Sequence, residues 1–357
     1  MKQIRATFQV VTPMFLGDGH LHFSGIRAPS IKGALRYWWR ALHWEAVRKQ
    51  AGSDEEALKR LHKAESWLLG NAAGTYPASN GKKPNVGQSR VLLSVWQPEN
   101  WDTLIEDKWP SQPRSQHNID GSSYMGFGLF EMRRKGGQVT HPQRQALHEG
   151  VTFGLVLTFK PDLETGKKDC WRNELGDPVN SVRKALVWWG LVGGLGSRSR
   201  RGFGSVALRT LEEDEQTRDF TYDTPEAYEK QIRQTLKDYS RKALPPFTAL
   251  SGETQFAFLS NPLSDPRDAI DVMGDKYKTY RTSLKRYERV PFGLPLANEN
   301  TNDRRAGPLF FHVHPVGRRY VSSVLFVPAV FHPHISKGNH IDFYRNVQAF
   351  LKKNKGS

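Results

Sequence analysis

The chain has 357 residues, of which 38% are hydrophobic and 25% are charged, a composition typical of a folded protein and not of a disordered one. Lysine and arginine outnumber aspartate and glutamate by 52 to 36, and the formal charge of +16 favours a polyanionic partner such as nucleic acid or anionic lipid. The single cysteine, Cys170, excludes an intramolecular disulfide and a cysteine-built zinc site, and no apolar run approaches the ~18 residues of a membrane helix. We therefore expect a cytoplasmic protein with no membrane partner, and the length suggests two domains.

The first half of the chain alternates strand and helix patterns. Apolar and β-branched runs predict strands at 4–12, 90–95, 149–160 and 204–211, and helical spacing of apolar residues predicts helices at 31–49, 54–69 and 181–195. Ser30 is the predicted N-cap of the first long helix. Residues from about 99 to 145 are dense in Pro, Ser, Gln, Gly and Arg, which indicates a long insertion with one short strand near 126–131. The order strand, helix, strands, helix, strand suits a ferredoxin-like unit.

An acidic stretch at 212–215 indicates the boundary between the two halves. Beyond it, helices are predicted at 225–242, 266–289 and 340–353, and strands at 255–259, 309–313 and 320–326. Asn339 is the predicted cap of the last helix, and Gly317 lies in the turn between the last two strands. The whole chain is thus predicted to be α+β, with domains at 1–211 and 212–357.

The first long helix carries two stripes. Its apolar stripe, which should face the core, consists of Ile31, Leu35, Trp38 and Leu42. Its basic stripe consists of Lys32, Arg36 and Arg40, with Trp39 at the border. Three cations stacked along a helix repel one another, and a row of phosphates would relieve that repulsion. The alternative is an ordinary solvated basic face.

A glycine-rich loop spans 193–204, with the sequence GGLGSRSRRGFG. Glycine lets the backbone approach a ligand closely, successive amides can form an anion nest, and arginine binds phosphate through two hydrogen bonds. The loop follows a helix and precedes a strand, and it lacks the Gly-Lys-Ser/Thr ending of a P-loop, so nucleotide hydrolysis is disfavoured. The alternative is a flexible glycine-rich turn without a ligand.

Three segments resemble a known family. The TPMFLG motif at 12–17, the IRAPSIKGALRYWWRAL motif at 26–42 and the glycine-rich loop are together similar to the RAMP superfamily of CRISPR proteins, and more narrowly to the first-numbered subunit family of the type III-B Cmr complex. The RRAGPL segment at 304–309 resembles that family's second-domain strand entry, although Gly307 stands where serine is expected.

This resemblance implies two tandem ferredoxin-like (RRM-like) RAMP domains. It also implies a non-catalytic, antiviral ribonucleoprotein subunit that contacts crRNA toward its 3′ end, single-stranded target RNA and neighbouring RAMP subunits. From the residues themselves, which show no cluster of carboxylates or cysteines, we expect no cofactor and no metal. The residues predicted to bind RNA are Arg27, Ser30, Lys32, Arg36, Trp39, Arg40, Gly193, Gly194, Gly196, Ser197, Arg198, Arg200 and Arg201.

Several other patterns leave alternatives open. His20 and His22 are weak candidates for a metal-independent endoribonuclease, which needs a general acid or base. The pairs at 312/314 and 332/334 have the spacing of metal ligands but are interpreted as structural or surface residues. The basic helix at 276–289 either extends an RNA path or is solvated, and the whole basic surface could instead serve a protein-binding scaffold subunit.

Overall fold

The computed structural model describes residues 1–17, 22–71, 87–106, 120–129, 132–133, 139–141, 144–161, 176–296, 303–332, 335 and 339–354. Within them the chain mixes helices with antiparallel sheets, as the α+β prediction requires. None of the helices in these ranges is long and apolar enough to cross a membrane.

A five-stranded sheet organises the first half. Its five members are β1 (Gln3–Val10), β2 (Val91–Trp96), β7 (Thr152–Phe159), β8 (Val206–Glu213) and β9 (Gln216–Asp219). Their order across the sheet is β2-β7-β1-β8-β9, and all the pairings are antiparallel. Alternate residues of β1, from Ile4 to Val10, are buried, which is the period expected of a sheet with one covered face.

Two long helices cover the buried face of this sheet. They are α1 (Ala28–Gln50) and α4 (Pro178–Val192), and α2 (Asp54–Leu69) packs beside α1. Trp189 of α4 lies on Phe8 of β1, with ring centroids 4.7 Å apart. The next residue, Gly190, must lack a side chain, because a Cβ there would lie 2.5 Å from the Leu208 side chain. The predicted apolar stripe of α1 is confirmed, since all four of its members are buried.

The segment between β2 and β7 contains short elements. They are β3 (Ile105–Glu106), α3 (Gly121–Met125), β4 (Met132–Arg133), β5 (Val139–His141) and β6 (Ala146–Leu147), with a 3-10 helix at Trp101–Leu104. The predicted strand near 126–131 is wrong at 126–129, where a turn follows α3, because Asp120 caps a helical turn just upstream.

The second half is built on a three-stranded sheet. Its strands are β10 (Gln255–Phe258), β11 (Leu309–Val316) and β12 (Arg319–Phe326), in the order β10-β12-β11. The helices are α5 (Pro225–Leu236), α6 (Pro266–Ser283) and α7 (Arg345–Asn354), and 3-10 helices run at Arg286–Phe292 and Ile341–Tyr344. The predicted turn at Gly317 is present, with φ at +55°.

Strand β11 is buried on both faces. Phe310 and His312 face the first half, where Phe310 lies 5.1 Å from Trp38 between ring centroids, and on the same face His314 stacks on Tyr228 of α5. Phe311 and Val313 face the opposite way into a second core, where the Phe311 ring lies 4.9 Å from Tyr277 of α6. One strand therefore closes two hydrophobic cores.

Several predicted element boundaries are wrong, and among them the helix predicted at 225–242 ends at Leu236. Helix α1 starts at Ala28 with Arg27 as its N-cap, because Pro29 provides a suitable φ in the first turn, so Ser30 lies inside the helix. Strand β8 continues to Glu213 and turns into β9, so the acidic stretch at 212–215 forms a hairpin, and the division at 211/212 stays a prediction. Helix α6 ends at Ser283, and the last helix starts at Arg345 behind a 3-10 turn for which His340, not Asn339, is the cap.

Helix α3 and helix α6 meet without side chains between them. A Cβ at Gly274 would lie 2.0 Å from the carbonyl oxygen of Gly121, and a Cβ at Gly121 would lie 2.0 Å from the carbonyl oxygen of Asp271. The Ser122 amide donates to the Asp271 carboxylate at 2.8 Å. The described part of the predicted insertion is therefore joined to the second half by backbone contact.

We predict that Gly274→Ala lowers the free energy of unfolding by about 3 kcal/mol, because the added methyl group overpacks a backbone contact. The matched control is Gly33→Ala in α1, where a Cβ meets nothing within 4 Å and should stabilise the helix by about 0.5–1 kcal/mol. Urea unfolding followed by circular dichroism measures both. Equal effects of the two substitutions would contradict the close contact.

Candidate nucleic-acid interface

The glycine-rich loop packs against the segment that follows β1 and is bound to it by backbone hydrogen bonds. The Ser197 amide donates to the Phe15 carbonyl at 2.8 Å, and the Gly204 amide donates to the Pro13 carbonyl at 2.8 Å. Thr12 of the same segment holds the C-terminal part of the loop, since its hydroxyl donates to the Gly202 carbonyl at 2.7 Å. The alternative of a flexible turn does not describe this loop.

Glycine is required at Gly196 for two reasons. Its φ is +89°, and a Cβ there would lie 2.4 Å from the Phe15 carbonyl oxygen. The glycine therefore serves the protein's own packing, not the approach of a ligand. The expected anion nest is also wrong for the amides of Leu195, Ser197 and Gly204, because each already donates to a carbonyl oxygen of the chain.

The loop arginines instead line a cavity of about 430 Å³, which we call the arginine pocket. Its five arginines are Arg198, Arg200, Arg201, Arg281 and Arg305. The first three come from the loop, Arg281 from the end of α6, and Arg305 from the segment before β11. The other described residues of the wall are Ser199, Tyr277, Phe292, Gly293, Leu294, Pro295, Ala306, Gly307 and Leu309, none of them acidic.

Neutral oxygens hold most of these guanidinium groups in place. Arg200 donates to the Gly307 carbonyl at 2.9 Å, and Arg281 donates to the Tyr124 hydroxyl at 2.9 Å. Arg198 donates to the Phe127 carbonyl, and Arg305 to the Val330 carbonyl at 2.9 Å. Neutral acceptors position a cation without cancelling its charge, so the pocket keeps a concentrated positive potential.

Two further observations show that the pocket is short of acceptors. The Nε atoms of Arg200 and Arg281 are buried and have no hydrogen-bond partner within the described part of the chain. Burial lowers the pKa of the Arg200 guanidinium, and the charges of Arg201 and Arg305 lower that pKa further. An anion in the pocket would supply the missing counter-charge and would accept from guanidinium nitrogens that face the pocket.

The basic stripe of α1 differs from the pocket because two of its cations are paired. Arg36 Nε and Arg40 Nη1 each lie 2.7 Å from Glu65 Oε1 on α2, and the Glu65 side chain is only 4% exposed. Arg36 also donates to the Leu69 and Gly70 carbonyls at 3.2 and 3.0 Å. These two arginines therefore join α1 to α2. Burial and the charge of Arg36 lower the pKa of Lys32, for which the described residues show no ion pair.

Tyr37 connects the stripe with the pocket. Its ring centroid lies 5.8 Å from that of Phe310, over which the Arg200 guanidinium stacks at 4.0 Å. Burial raises the pKa of the Tyr37 hydroxyl, while the charges of Arg200, Arg40 and Arg305 oppose that rise. The basic stripe and the arginine pocket are thus linked by packing of the Tyr37 and Phe310 rings.

Trp39 was expected near the RNA, and the structure excludes a stacking role. Its ring is 1% exposed, and its Nε1 donates to the Ser181 hydroxyl at 3.0 Å. Trp38 of α1 and Trp188 and Trp189 of α4 are buried as well. Burial follows because all four lie where α1 and α4 cross between the sheet and β11. Arg27 is exposed and Ser30 is half-buried.

The histidine pair of β11 is structural. His312 Nδ1 lies 2.9 Å from the Gly193 carbonyl and must donate to it, so His312 Nε2 accepts from His314 Nδ1 at 3.2 Å. The His314 ring stacks on Tyr228 with centroids 4.0 Å apart. Burial lowers the pKa of His312 to about 3 and that of His314 well below its ordinary value. Both rings are therefore neutral, and the first residue of the glycine-rich loop is anchored to the second half.

No group of three or more metal-binding side chains occurs in the described ranges. His22 is exposed, while His20 and His334 lie outside the residues that the structure describes. Of the basic helix at 276–289, Arg281 lines the arginine pocket.

Sequence reasoning missed Arg281 and Arg305 as site residues, although both stood in segments already noted for their charge or family resemblance. It also missed Glu65, which decides the role of two stripe arginines. The signal for Glu65 was present, because a glutamate inside the apolar pattern of a helix needs a buried cationic partner.

Comparison with known proteins decides the family. A family model described as the RAMP superfamily matches residues 7–207. The chain belongs to the RAMP superfamily. This RAMP protein is 25% identical over 342 residues to the CRISPR system Cmr subunit Cmr1-1 of Pyrococcus furiosus, an alignment that covers 89% of this chain and 85% of that one.

Two solved structures share the fold of this RAMP protein. The crystal structure of Cmr1 from Pyrococcus furiosus in its apo form matches with a TM-score of 0.57 and 18% identity, covering 100% of this chain and 98% of that one. A chain of a type III-B Cmr-beta complex bound to cognate target RNA, solved by cryo-EM, matches with a TM-score of 0.58 and 11% identity, covering 99% and 98%.

We predict that Glu65→Gln lowers the free energy of unfolding by about 1.5–3 kcal/mol, because two charge-assisted hydrogen bonds lose their buried anion. On the same helix, Glu55→Gln removes an exposed partner of Lys59 and should leave the stability unchanged. Urea unfolding measures both variants. If Glu65→Gln were as harmless as the control, Arg36 and Arg40 would not depend on this anion.

We also predict that stability falls as the pH drops below 6.5. The pKa values of His312 and His314 are lower in the folded chain than their ordinary value of 6.5, so the unfolded chain binds more protons below that pH. The free energy of unfolding therefore falls by up to about 1.4 kcal/mol per pH unit for each ring. His314→Phe keeps a ring against Tyr228 and removes one titrating group. Urea unfolding at pH 6.5, 5.5 and 5.0 should therefore give a shallower pH dependence for the variant. Identical slopes would contradict a buried neutral His314.

Proposed function

We propose that this RAMP protein is a non-catalytic RNA-binding subunit of a type III-B CRISPR effector complex, acting in the cytoplasm. The observation that carries the proposal is the arginine pocket, where five guanidinium groups converge without an acidic side chain among the described residues of the wall. The relatives support it, since one is named as a Cmr subunit and another was solved in a complex with cognate target RNA. Its partners would be crRNA, target RNA and other RAMP subunits.

The fold supports two tandem ferredoxin-like domains. Strands β2, β7, β1 and β8 stand in the order of the four-stranded ferredoxin-like sheet, and α1 and α4 are the two crossover helices. In the second half, β10, β12 and β11 stand in the order of its first, third and second strands, with α6 and α7 as the helices. Among the described residues of the second half, a fourth strand is not seen.

The proposed mechanism is an electrostatic grip on the RNA backbone. Phosphates would be bound at the arginine pocket and at Lys32 of α1. Such contacts read charge and not sequence, because phosphates are the same at every nucleotide. The buried tryptophans of α1 and α4 support the helices instead of stacking on bases.

We predict that the purified protein shifts single-stranded RNA in native gels at low salt and leaves it intact on denaturing gels, with Mg²⁺ or with EDTA. The affinity should fall steeply with salt, because each phosphate contact releases counterions with a logarithmic slope of about −0.7 per phosphate. Discrete cleavage in EDTA would contradict the proposal and favour an endoribonuclease. No shift at any salt concentration would also contradict it for the isolated chain and favour a protein-binding scaffold.

Single substitutions assign the contacts. Lys32→Gln and Arg305→Gln should each reduce the slope by about 0.7, because each removes one phosphate contact. Arg319→Gln is the matched control, since Arg319 is exposed, donates weakly to the Pro262 carbonyl and lies outside the pocket. An unchanged slope in a folded Arg305→Gln variant would remove the pocket from the RNA path.

A further inference from the structure

The five-stranded sheet ends in two edge strands that differ in their protection. At one edge, β9 has only four residues, all exposed, and two of them, Arg218 and Asp219, are charged. Short length and charge are common means by which a protein keeps a sheet edge from pairing with another chain. At the other edge, as far as the structure describes the chain, stands β2, whose six residues VLLSVW include no charge and no proline. The sheet is therefore blocked to further pairing at β9 and open to it at β2.

The backbone of β2 presents unpaired groups along this open edge. The Lys160 amide, just after β7, donates to the Arg90 carbonyl at 3.0 Å. Because the bonded pairs of an antiparallel ladder recur at every second residue, alternate residues from Leu92 onward bond to β7. Leu93 and Val95 direct their amide and carbonyl groups the opposite way, where the described ranges offer them no hydrogen-bond partner. An added strand would find two donors and two acceptors there.

The side chains of β2 are incompletely covered on both faces of the sheet. On the face away from the helices, Leu92 is 43% exposed and Trp96 is 60% exposed. The Trp96 ring lies beside β7, since a Cβ at Gly154 would be 3.6 Å from Trp96 Cε3. On the inner face, Leu93 and Val95 are only partly buried at the border of the core. A strand beside β2 would therefore cover apolar surface on both faces and add a hydrophobic contribution to the backbone hydrogen bonds.

The charge distribution indicates which molecule fits this edge. The β7 residues beside the exposed side chains of β2 are Thr158, Val156 and Gly154, so this part of the face lacks the cations that bind phosphate. A second copy of the chain would bring another net charge of +16, which opposes association. The backbone of an extended polypeptide matches the free amides and carbonyls, and apolar or β-branched side chains match the uncharged β2. The occupant that fits is an extended, uncharged segment of another protein.

We propose that β2 pairs with an extended segment of a neighbouring subunit, which adds a sixth strand to the sheet. The proposal rests on the proposed function as part of a multi-subunit complex, and it identifies a surface by which the chain joins a protein partner. The backbone of the segment bonds to Leu93 and Val95, and its apolar side chains cover Leu92 and Trp96. The arginine pocket contains no residue of β2, so RNA and the segment bind separate surfaces.

Hydrogen exchange at single-amide resolution tests this pairing. The full chain is measured alone and in the complex obtained by co-expression with the other subunits of the proposed type III-B assembly. In the isolated chain, the amides of Leu92 and Ser94 should exchange slowly, because they donate to β7. Those of Leu93 and Val95 should exchange quickly. In the complex, exchange at Leu93 and Val95 should slow by about 100-fold or more, because a paired amide exchanges only when the strand opens.

Lysine substitutions test the contribution of the exposed side chains. The double variant Leu92→Lys with Trp96→Lys places two charges beside the incoming segment, whereas Gln216→Lys with Thr217→Lys adds the same charge to β9. Each variant is co-expressed with the unsubstituted chain, and the two compete for the complex. The share of the β2 variant in the purified complex should fall about tenfold, because apolar contacts with the segment are lost, and the share of the β9 variant should not change. Slow exchange at Ser94 in the isolated β2 variant confirms that β2 still pairs with β7.

The outcomes separate this proposal from the proposed function. If the complex assembles while Leu93 and Val95 exchange as fast as in the isolated chain, the edge is not the interface, and the RNA-binding function stands. Protection that grows with the concentration of the isolated chain would assign the edge to a second copy, and protection on addition of single-stranded RNA would assign it to RNA. Either result overturns the proposal, as does an equal loss of assembly by the two double variants. If the chain does not enter the complex, the proposed function fails together with the strand pairing.

Discussion

Strand β11 is the constraint on which the rest of the structure depends. It presents Phe310 and His312 to the first half, His314 to Tyr228 of α5, and Phe311 and Val313 to the second core. A strand buried on both faces cannot shift its register, since a slip of one residue would exchange the two faces and bring histidines into the second core. The position of β11 therefore fixes the Gly193 carbonyl through His312, and with it the start of the glycine-rich loop.

The loop arginines lie where the two halves meet because β11 is fixed there. Arg200 stacks on Phe310 and Arg201 stacks on Tyr277. The two neighbouring arginines therefore contact aromatic rings on opposite sides of β11. Arg36 and Arg40 have the same chemistry but a buried carboxylate beside them. The contrast shows that a count of positive residues does not locate a polyanion site, whereas the partners of those residues do.

Local patterns in the sequence predicted the helices and strands well where one face of an element is buried. The apolar stripe of α1 and the alternation in β1 and β7 are of this kind, because period and burial are linked residue by residue. The exclusion of Trp39 from the surface could not be predicted, since α1 is covered by α4 and β11, and β11 comes more than 250 residues later. Likewise, the family resemblance drew attention to the loop and to 304–309 separately, but their meeting in one pocket is a property of the tertiary fold.

The hydrogen bond between Gly193 and His312 joins residues that are 119 positions apart in the sequence. A ribosome adds about 5–20 residues per second, so the interval between the two residues takes roughly 6–24 s of synthesis. During that time Trp38 and Tyr228 lack the ring contacts that Phe310 and His314 of β11 make with them in the folded chain. The first core therefore stays open until residues 309–316 emerge, and the second core closes later still, because Val347, Phe350 and Leu351 of α7 also belong to it.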